Sequence, residues 1–347
     1  MTTTAQHNAV GVAIVRRPQR LRVLWLIVTA AVLIVLMLLS VAIGSREVSW
    51  DDIVAGLFGS TDTLGEAAVV TRIPRTMLAV IVGAALGLSG AVMQGVTRNP
   101  LADPGILGIN MGASLAVVIG IAWFGLSSAD GYLWVAILGA GITAVFVYSV
   151  GSLGRGGATP LKLALAGAAT AAALSSFVTA VYLPRGDISG IVRSWLIGGV
   201  GGATWGPIQQ MLPFLVVGLL ICLLSARGLN SLALGDDLAA GLGERVALVR
   251  GSAALGAVLL CGAATAIAGP IAFVGLMIPH ACRLLVGVDH RWLLPFSAVA
   301  GAGLVVAADI LGRIVARPSE IDVGIITAII GAPVFIAIVR RQKVRNL

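Results

Sequence analysis

Residues Arg72 to Gly112 read RIPRTMLAVIVGAALGLSGAVMQGVTRNPLADPGILGINMG, a pattern that restricts the environment the chain can fold in. Between two Arg-Pro clusters runs an uncharged stretch, Thr76 to Thr97, of 22 residues. An α-helix of that length crosses roughly 30 Å of hydrocarbon. Its interior is rich in Gly, Ala and Ser, which let helices approach closely inside a bilayer. The loop that follows ends in Asp103-Pro104, an N-cap and first-turn pair that predicts a second helix starting there. Hydrophobic residues make up 58% of the chain and charged residues only 11%. Soluble domains carry about 25% charged residues, so the composition excludes that class. The formal charge of +8 then belongs to basic residues flanking spans, rather than to a nucleic-acid surface.

Ten membrane segments follow from the apolar runs: 23–43, 76–97, 106–126, 131–151, 161–183, 207–226, 246–268, 270–287, 293–316 and 323–340. The uncharged run Gly251 to Cys282 is 32 residues long, too long for one crossing, and Gly269-Pro270 is its natural break. The segment after the break, PIAFVGLMIPHACRLL, is expected to be short and partly irregular, shielded by protein or a water-filled cavity. Near the amino end, four arginines precede the 21-residue run Val23 to Ile43, too long for a signal h-region, so a retained first helix is expected. With that end inside, sixteen of the 23 Lys and Arg fall on the inner side and seven on the outer, which predicts both termini in the cytoplasm. The chain therefore reads as an amino tail (1–22), one transmembrane domain (23–341) and a short carboxyl tail (342–347).

Two connections are long. In 44–75, on the outer side, Ser49-x-x-Asp52 predicts a capping box opening a short surface helix. In 227–245, on the inner side, Leu234, Leu238 and Leu242 recur at helical spacing, with Asp236 as the expected N-cap. Such a helix needs an apolar cover: the protein's own inner face or lipid headgroups on one reading, a cytoplasmic partner on the other. GAALGLSG (83–90) and GAATAIAG (262–269) hint at a duplication; five segments apart, the copies would be inverted, as in many transport paths.

The chemistry is sparse. No G-x-x-x-x-G-K-[ST] loop is present, so the chain does not cradle ATP phosphates itself. Neither H-E-x-x-H nor G-x-S-x-G occurs, and Cys222, Cys261 and Cys282 lie in apolar segments, where buried small hydrophobes are expected. Asp309 and Arg313 are spaced for an i,i+4 ion pair near the outer boundary. Arg72, Arg75 and Arg313 run against the positive-inside tendency. They either snorkel to headgroups or meet an acidic extracytoplasmic partner.

The stretches RIPRTMLAVIVGAALGLSGAVMQGVTRNPLADPGILG, LALGDDLAAGLG, ATAIAGPIAFVGLMIPHACRLLVGVDHRWLLP and ADILGRIVARPSEIDVGIITAIIGAPVFI occur here in one order. From Arg72 to Arg341 the chain resembles the permease subunits of the iron-siderophore, haem and vitamin B12 ABC importers, the FecCD/BtuC-type family. RNPLADPGILGINMGAS and LNSLALGDD look nearest to the ferric-enterobactin-type permeases. The resemblance implies an all-α, ten-helix, type II importer permease fold with an inverted repeat. It further implies a second permease subunit, two cytoplasmic ATPases carrying ATP and Mg, and an extracytoplasmic siderophore-binding protein, with no cofactor or metal held by this chain. The implied cargo is an intact iron-siderophore chelate, with vitamin B12 or haem as the alternative.

Carried over by motif, the ATPase-coupling loop is Leu234, Gly235, Asp236, Asp237, Leu238 and Leu242. The binding-protein docking residues are Arg72, Arg75 and Arg313, and the cytoplasmic gate lies at Gly156, Gly157 and Thr159. Asp322 departs from the family pattern, which usually has Pro or an apolar residue there. A secondary transporter with inverted repeats is the rival from another class, and polar coupling residues near mid-membrane would mark it. The central thirds of these spans hold almost none.

Overall fold

A computed structural model describes residues 18–154 and 160–345. It is built of helices, with no strand among the described residues. In chain order these are α1 (Gln19–Ala42), α2 (Trp50–Leu57), α3 (Leu64–Thr97), a 3₁₀ turn (Pro104–Leu107), α4 (Ile109–Phe124) and α5 (Ala129–Ser152). Next come α6 (Pro160–Tyr182), α7 (Gly186–Ile197), α8 (Trp205–Leu224), α9 (Ala226–Leu232) and α10 (Asp236–Gly241). The last four are α11 (Val246–Ala268), α12 (Val274–Val286), α13 (His290–Val315) and α14 (Val323–Arg345). Seven described helices are long and apolar enough to span a membrane: α1, α3, α5, α6, α8, α11 and α13. Three more, α4, α12 and most of α14, are apolar but shorter. The end holding the start of α1 is called inner below, following the basic-residue bias.

Helix α3 is the axis of the bundle, with 78% of its most apolar window buried, and α13, α11 and α12 pack around it. Its glycines explain why. A Cβ on Gly83 would strike the Gly301 carbonyl of α13, one on Gly87 the Ser297 carbonyl, and one on Gly90 the Gly275 backbone of α12. Helix backbones touch directly along this seam, the mode of association open to helices in lipid, where burying apolar side chains gains little. Helices α1 and α6 sit at the periphery, with 6% and 11% of their windows buried.

The helix starts follow local chemistry. Ser49 and Asp52 form the expected capping box of α2, each side chain bonding the other's backbone N–H. Helix α3 differs from the sequence reading. It begins at Leu64 rather than Thr76, because Thr63 and Glu66 form a second capping box. The RIPR motif consequently lies inside α3 and not in a loop. Asp103 does cap as expected, accepting from the Gly105 N–H at 2.7 Å, but it opens only a 3₁₀ turn. The regular helix starts at Ile109, after Gly108 turns the backbone left-handed (φ 70°). The break at Gly269-Pro270 is as read: α11 ends at Ala268 and α12 resumes at Val274.

Helix α7 was not anticipated in the outer connection between the fifth and sixth segments. At its end the Gly199 N–H donates to the Ala268 carbonyl at 2.8 Å, and the Gly324 N–H donates to the Gly198 carbonyl at 2.9 Å. These bonds knot the ends of α7 and α11 to the start of α14. All three cysteines are free and buried.

Candidate coupling loop and outer arginine cluster

The connection from α8 to α11 is anchored on one face and bare on the other. Leu229 and Leu232 of α9 and Ala239 of α10 are fully buried against the bundle. Gly235 supplies the turn between the two short helices at φ 112°, a backbone state that disfavours any side chain. Asp236 is not the N-cap expected from sequence. Gly235 holds that position, and Asp236 is the first helical residue, with Asp237 beside it in the first turn. This arrangement still places two carboxylates where the helix dipole favours negative charge.

Asp236 also ties the loop to two long helices. Its Oδ1 lies 3.0 Å from Nη2 of Arg98, just past the end of α3, and 3.0 Å from Nη2 of Arg250 on α11. The Ser231 hydroxyl donates to Glu244 at 3.2 Å, closing the loop at its base. Leu234, Leu238 and Leu242 are exposed at 59%, 62% and 66%. Among the described residues, nothing of the protein's own inner face covers them.

At the outer end the three arginines are arranged differently from the expectation. Arg72 is 6% exposed and spends its guanidinium on the carbonyls of Val41, Ala42 and Arg46. Arg313 is 1% exposed and donates to the Ser40 and Ile43 carbonyls and the Ser40 hydroxyl. The sequence reading put both at the surface, either snorkelling or docking. Each is instead buried, because helix α1 ends beside it with unpaired carbonyls that need donors. Arg75 alone reaches the surface. Its Nε and Nη2 donate to Asp309 Oδ1 at 2.9 and 2.8 Å, and its Nη1 donates to Glu320 at 2.6 Å.

Asp309 and Arg313 form the expected i,i+4 pair at 2.7 Å. Burial alone would raise the Glu320 pKa, but the Arg75 hydrogen bond and charge hold it below the ordinary carboxylate value. A cavity of about 590 Å³ lies over this cluster, lined by Arg46, Thr71, Arg72, Arg75, Thr204 and Glu320 among others.

Sequence reasoning missed Glu320, Ser40, Arg98 and Arg250 as partners in these clusters. Only the Asp309–Arg313 spacing carried a local signal; the other pairs join residues far apart in the chain. Gly156, Gly157 and Thr159, read as the inner gate, lie outside the described residues. Among the described residues no group of three or more His, Cys, Asp or Glu is placed to hold a metal ion.

Residues 32–341 match the model of the FecCD transport family. A probable siderophore transport system permease protein of Bacillus subtilis is 43% identical over 91% of this chain and 96% of its own length. The ferric enterobactin transport system permease protein of Escherichia coli is 44% identical, over 89% of this chain and 93% of its own. Among solved structures, a chain from a transporter described as of metal-chelate ABC type, in an inward-facing conformation, superposes with a TM-score of 0.79. It is 29% identical and covers 92% of this chain and 99% of that one. With its glycine-packed axis, its anchored inner loop and these matches, the chain belongs to the FecCD transport family.

Proposed function

We propose that the chain is the transmembrane permease subunit of an ATP-driven ABC importer that carries an intact iron-siderophore chelate inward across the plasma membrane. It crosses ten times, the three shorter apolar helices completing the seven long ones, with an inverted repeat relating its halves and both termini in the cytoplasm. A second permease subunit, identical or paralogous, lines the path with it. Two separate cytoplasmic ATPases supply the energy, binding ATP and Mg themselves, and an extracytoplasmic siderophore-binding protein delivers the cargo. The glycine-rich stretch at Gly156, Gly157 and Thr159 forms the inner gate.

The observation that carries this reading is the coupling loop. A loop fastened through Leu229, Leu232, Ala239 and Asp236 while holding out Leu234, Leu238 and Leu242 is an apolar surface awaiting a partner. Those leucines, with Gly235, Asp236 and Asp237, make the ATPase contact. Docking of the binding protein falls to Arg75, the one arginine of the three at the surface; Arg72 and Arg313 hold its frame. An acidic side chain arriving there competes with Glu320 for the same guanidinium. The scarcity of hard oxygen ligands in the spans favours passage of the whole chelate over a bare ferric ion.

The experiment is a paired substitution. Leu238→Asp with Leu242→Asp puts charge into the interface and is expected to cost about 2–5 kcal/mol of ATPase binding. Co-purified ATPase should fall together with uptake of labelled ferric siderophore in cells lacking the native gene. Wild-type ATPase yield from the double variant would refute the assignment.

A further inference from the structure

A cleft of about 530 Å³ opens between α3, α5, α6 and α11, away from the outer arginine cluster and sharing only Arg98 and Arg250 with the coupling-loop cluster. Met93, Val96, Val145, Leu163, Leu255 and Val258 give it an apolar wall. Its polar lining gathers at one end. Thr97 and Arg98 close α3, Tyr148 lies in the last turns of α5, and Arg250 lies near the start of α11, all at the inner end. A greasy slot with a basic inner end has the shape of a lipid's chain and headgroup.

The charges there do not balance. Arg98 and Arg250 share the single carboxylate of Asp236. Among the described residues these two guanidiniums have one carboxylate within ion-pair distance, which leaves one positive charge in excess there. The buried Nε–H of Arg250 has no acceptor among them. A buried donor without a partner is costly, and it invites an anion with oxygen acceptors. The outward face of α5 beside the cleft carries Leu138, Ile142, Val145 and Phe146, all exposed on this chain, an apolar surface continuous with the cleft wall through Val145.

We propose that the cleft binds one anionic phospholipid of the inner leaflet, with an acyl chain along the apolar wall and the phosphate at Arg98 and Arg250. Because the same two side chains hold Asp236, the headgroup sits directly beneath coupling helix α10. The proposal does not depend on which cargo the protein carries.

The test uses the full-length chain in nanodiscs of phosphatidylcholine containing a minority of phosphatidylglycerol, with retained lipid counted by native mass spectrometry. One uncompensated charge predicts about fivefold enrichment of phosphatidylglycerol in the retained lipid over the bulk. Arg250→Gln should abolish the enrichment. Two further variants guard against misfolding. Gly141 and Gly251 line the cleft, and a Cβ on either meets nothing within 4 Å. Gly141→Leu and Gly251→Leu should therefore put a side chain into the slot with no clash at its Cβ, and the tightly held lipid should be lost.

Equal retention of neutral and anionic lipid would overturn the proposal, as would unchanged retention in both glycine variants. Displacement of the lipid by millimolar inorganic phosphate would also overturn it, since the site would then take a free anion. So would loss of permease dimers in the glycine variants, which would make the cleft a contact between copies of the chain.

Discussion

At Asp309 one carboxylate, 1% exposed, faces two guanidiniums, Arg75 at 2.8 Å and Arg313 at 2.7 Å. Arg313 is 1% exposed, so its charge cannot turn to water if the carboxylate is lost. Arg75, with its side chain 14% exposed, then keeps only Glu320 as a charged partner among the described residues. Asp309→Asn is expected to destabilise the protein by about 3–5 kcal/mol, since it strands buried cations rather than removing a complete pair. Glu320 touches the same Arg75 from the surface, with its side chain 37% exposed, and Glu320→Gln should cost about 0–1 kcal/mol. Thermal melting of the two variants in one detergent checks the contrast. A larger loss from Glu320→Gln than from Asp309→Asn would mean that the cluster is organised from its rim.

Along α3 the packing is between backbones, and a single methyl group is felt. A Cβ at Gly87 meets the Ser297 carbonyl, a fixed atom of α13, whereas a Cβ at Gly141 of α5 meets nothing. Gly87→Ala is expected to cost about 1–3 kcal/mol by forcing the helices apart, and Gly141→Ala should be neutral or slightly stabilising. Yield and melting temperature of the two variants measure this. The outer cap of α2 should respond to acid. The Ser49 and Thr63 hydroxyls and the Ser49 N–H hold the Asp52 pKa below its ordinary value. A carboxylate with a depressed folded-state pKa stabilises the fold fully above its unfolded pKa. That contribution is lost as the pH falls through the folded-state value. Hydrogen exchange of residues 50–57 should therefore stay slow near neutrality, once corrected for the intrinsic rate, and lose protection in strong acid; the Asp52→Asn variant should lack this transition.

These elements also mark what the sequence made legible. Periodicity, apolar run length and caps fixed α1, α2, α5, α6, α8, α11 and the break before α12, because each signal is local. The start of α3 was misplaced because charge was taken to end the span, while Arg72 and Arg75 find their partners in α1, α13 and the loop before α14. The partners of Asp236, Arg72 and Arg75 were illegible for the same reason. The glycine seam showed as composition, although which helices it joins did not.

At the scale of the molecule, ion pairs sort to the two ends and the middle is held by close apolar packing. Arg22–Asp289 and Arg98–Asp236 lie at the inner end, and Arg75–Glu320 and Arg313–Asp309 at the outer. At those two ends sit the apolar coupling loop and the outer arginine cluster, the surfaces assigned above to the ATPase and the binding protein. On the proposed function, the energy for transport comes from the separate ATPase. Reconstitution of the permease in proteoliposomes, with and without its ATPase, tests this most directly. Uptake of a labelled ferric siderophore delivered by its binding protein should require both the ATPase and ATP on the side of the coupling loop. Uptake at the same rate from the permease alone, driven by a proton or sodium gradient, would contradict the account.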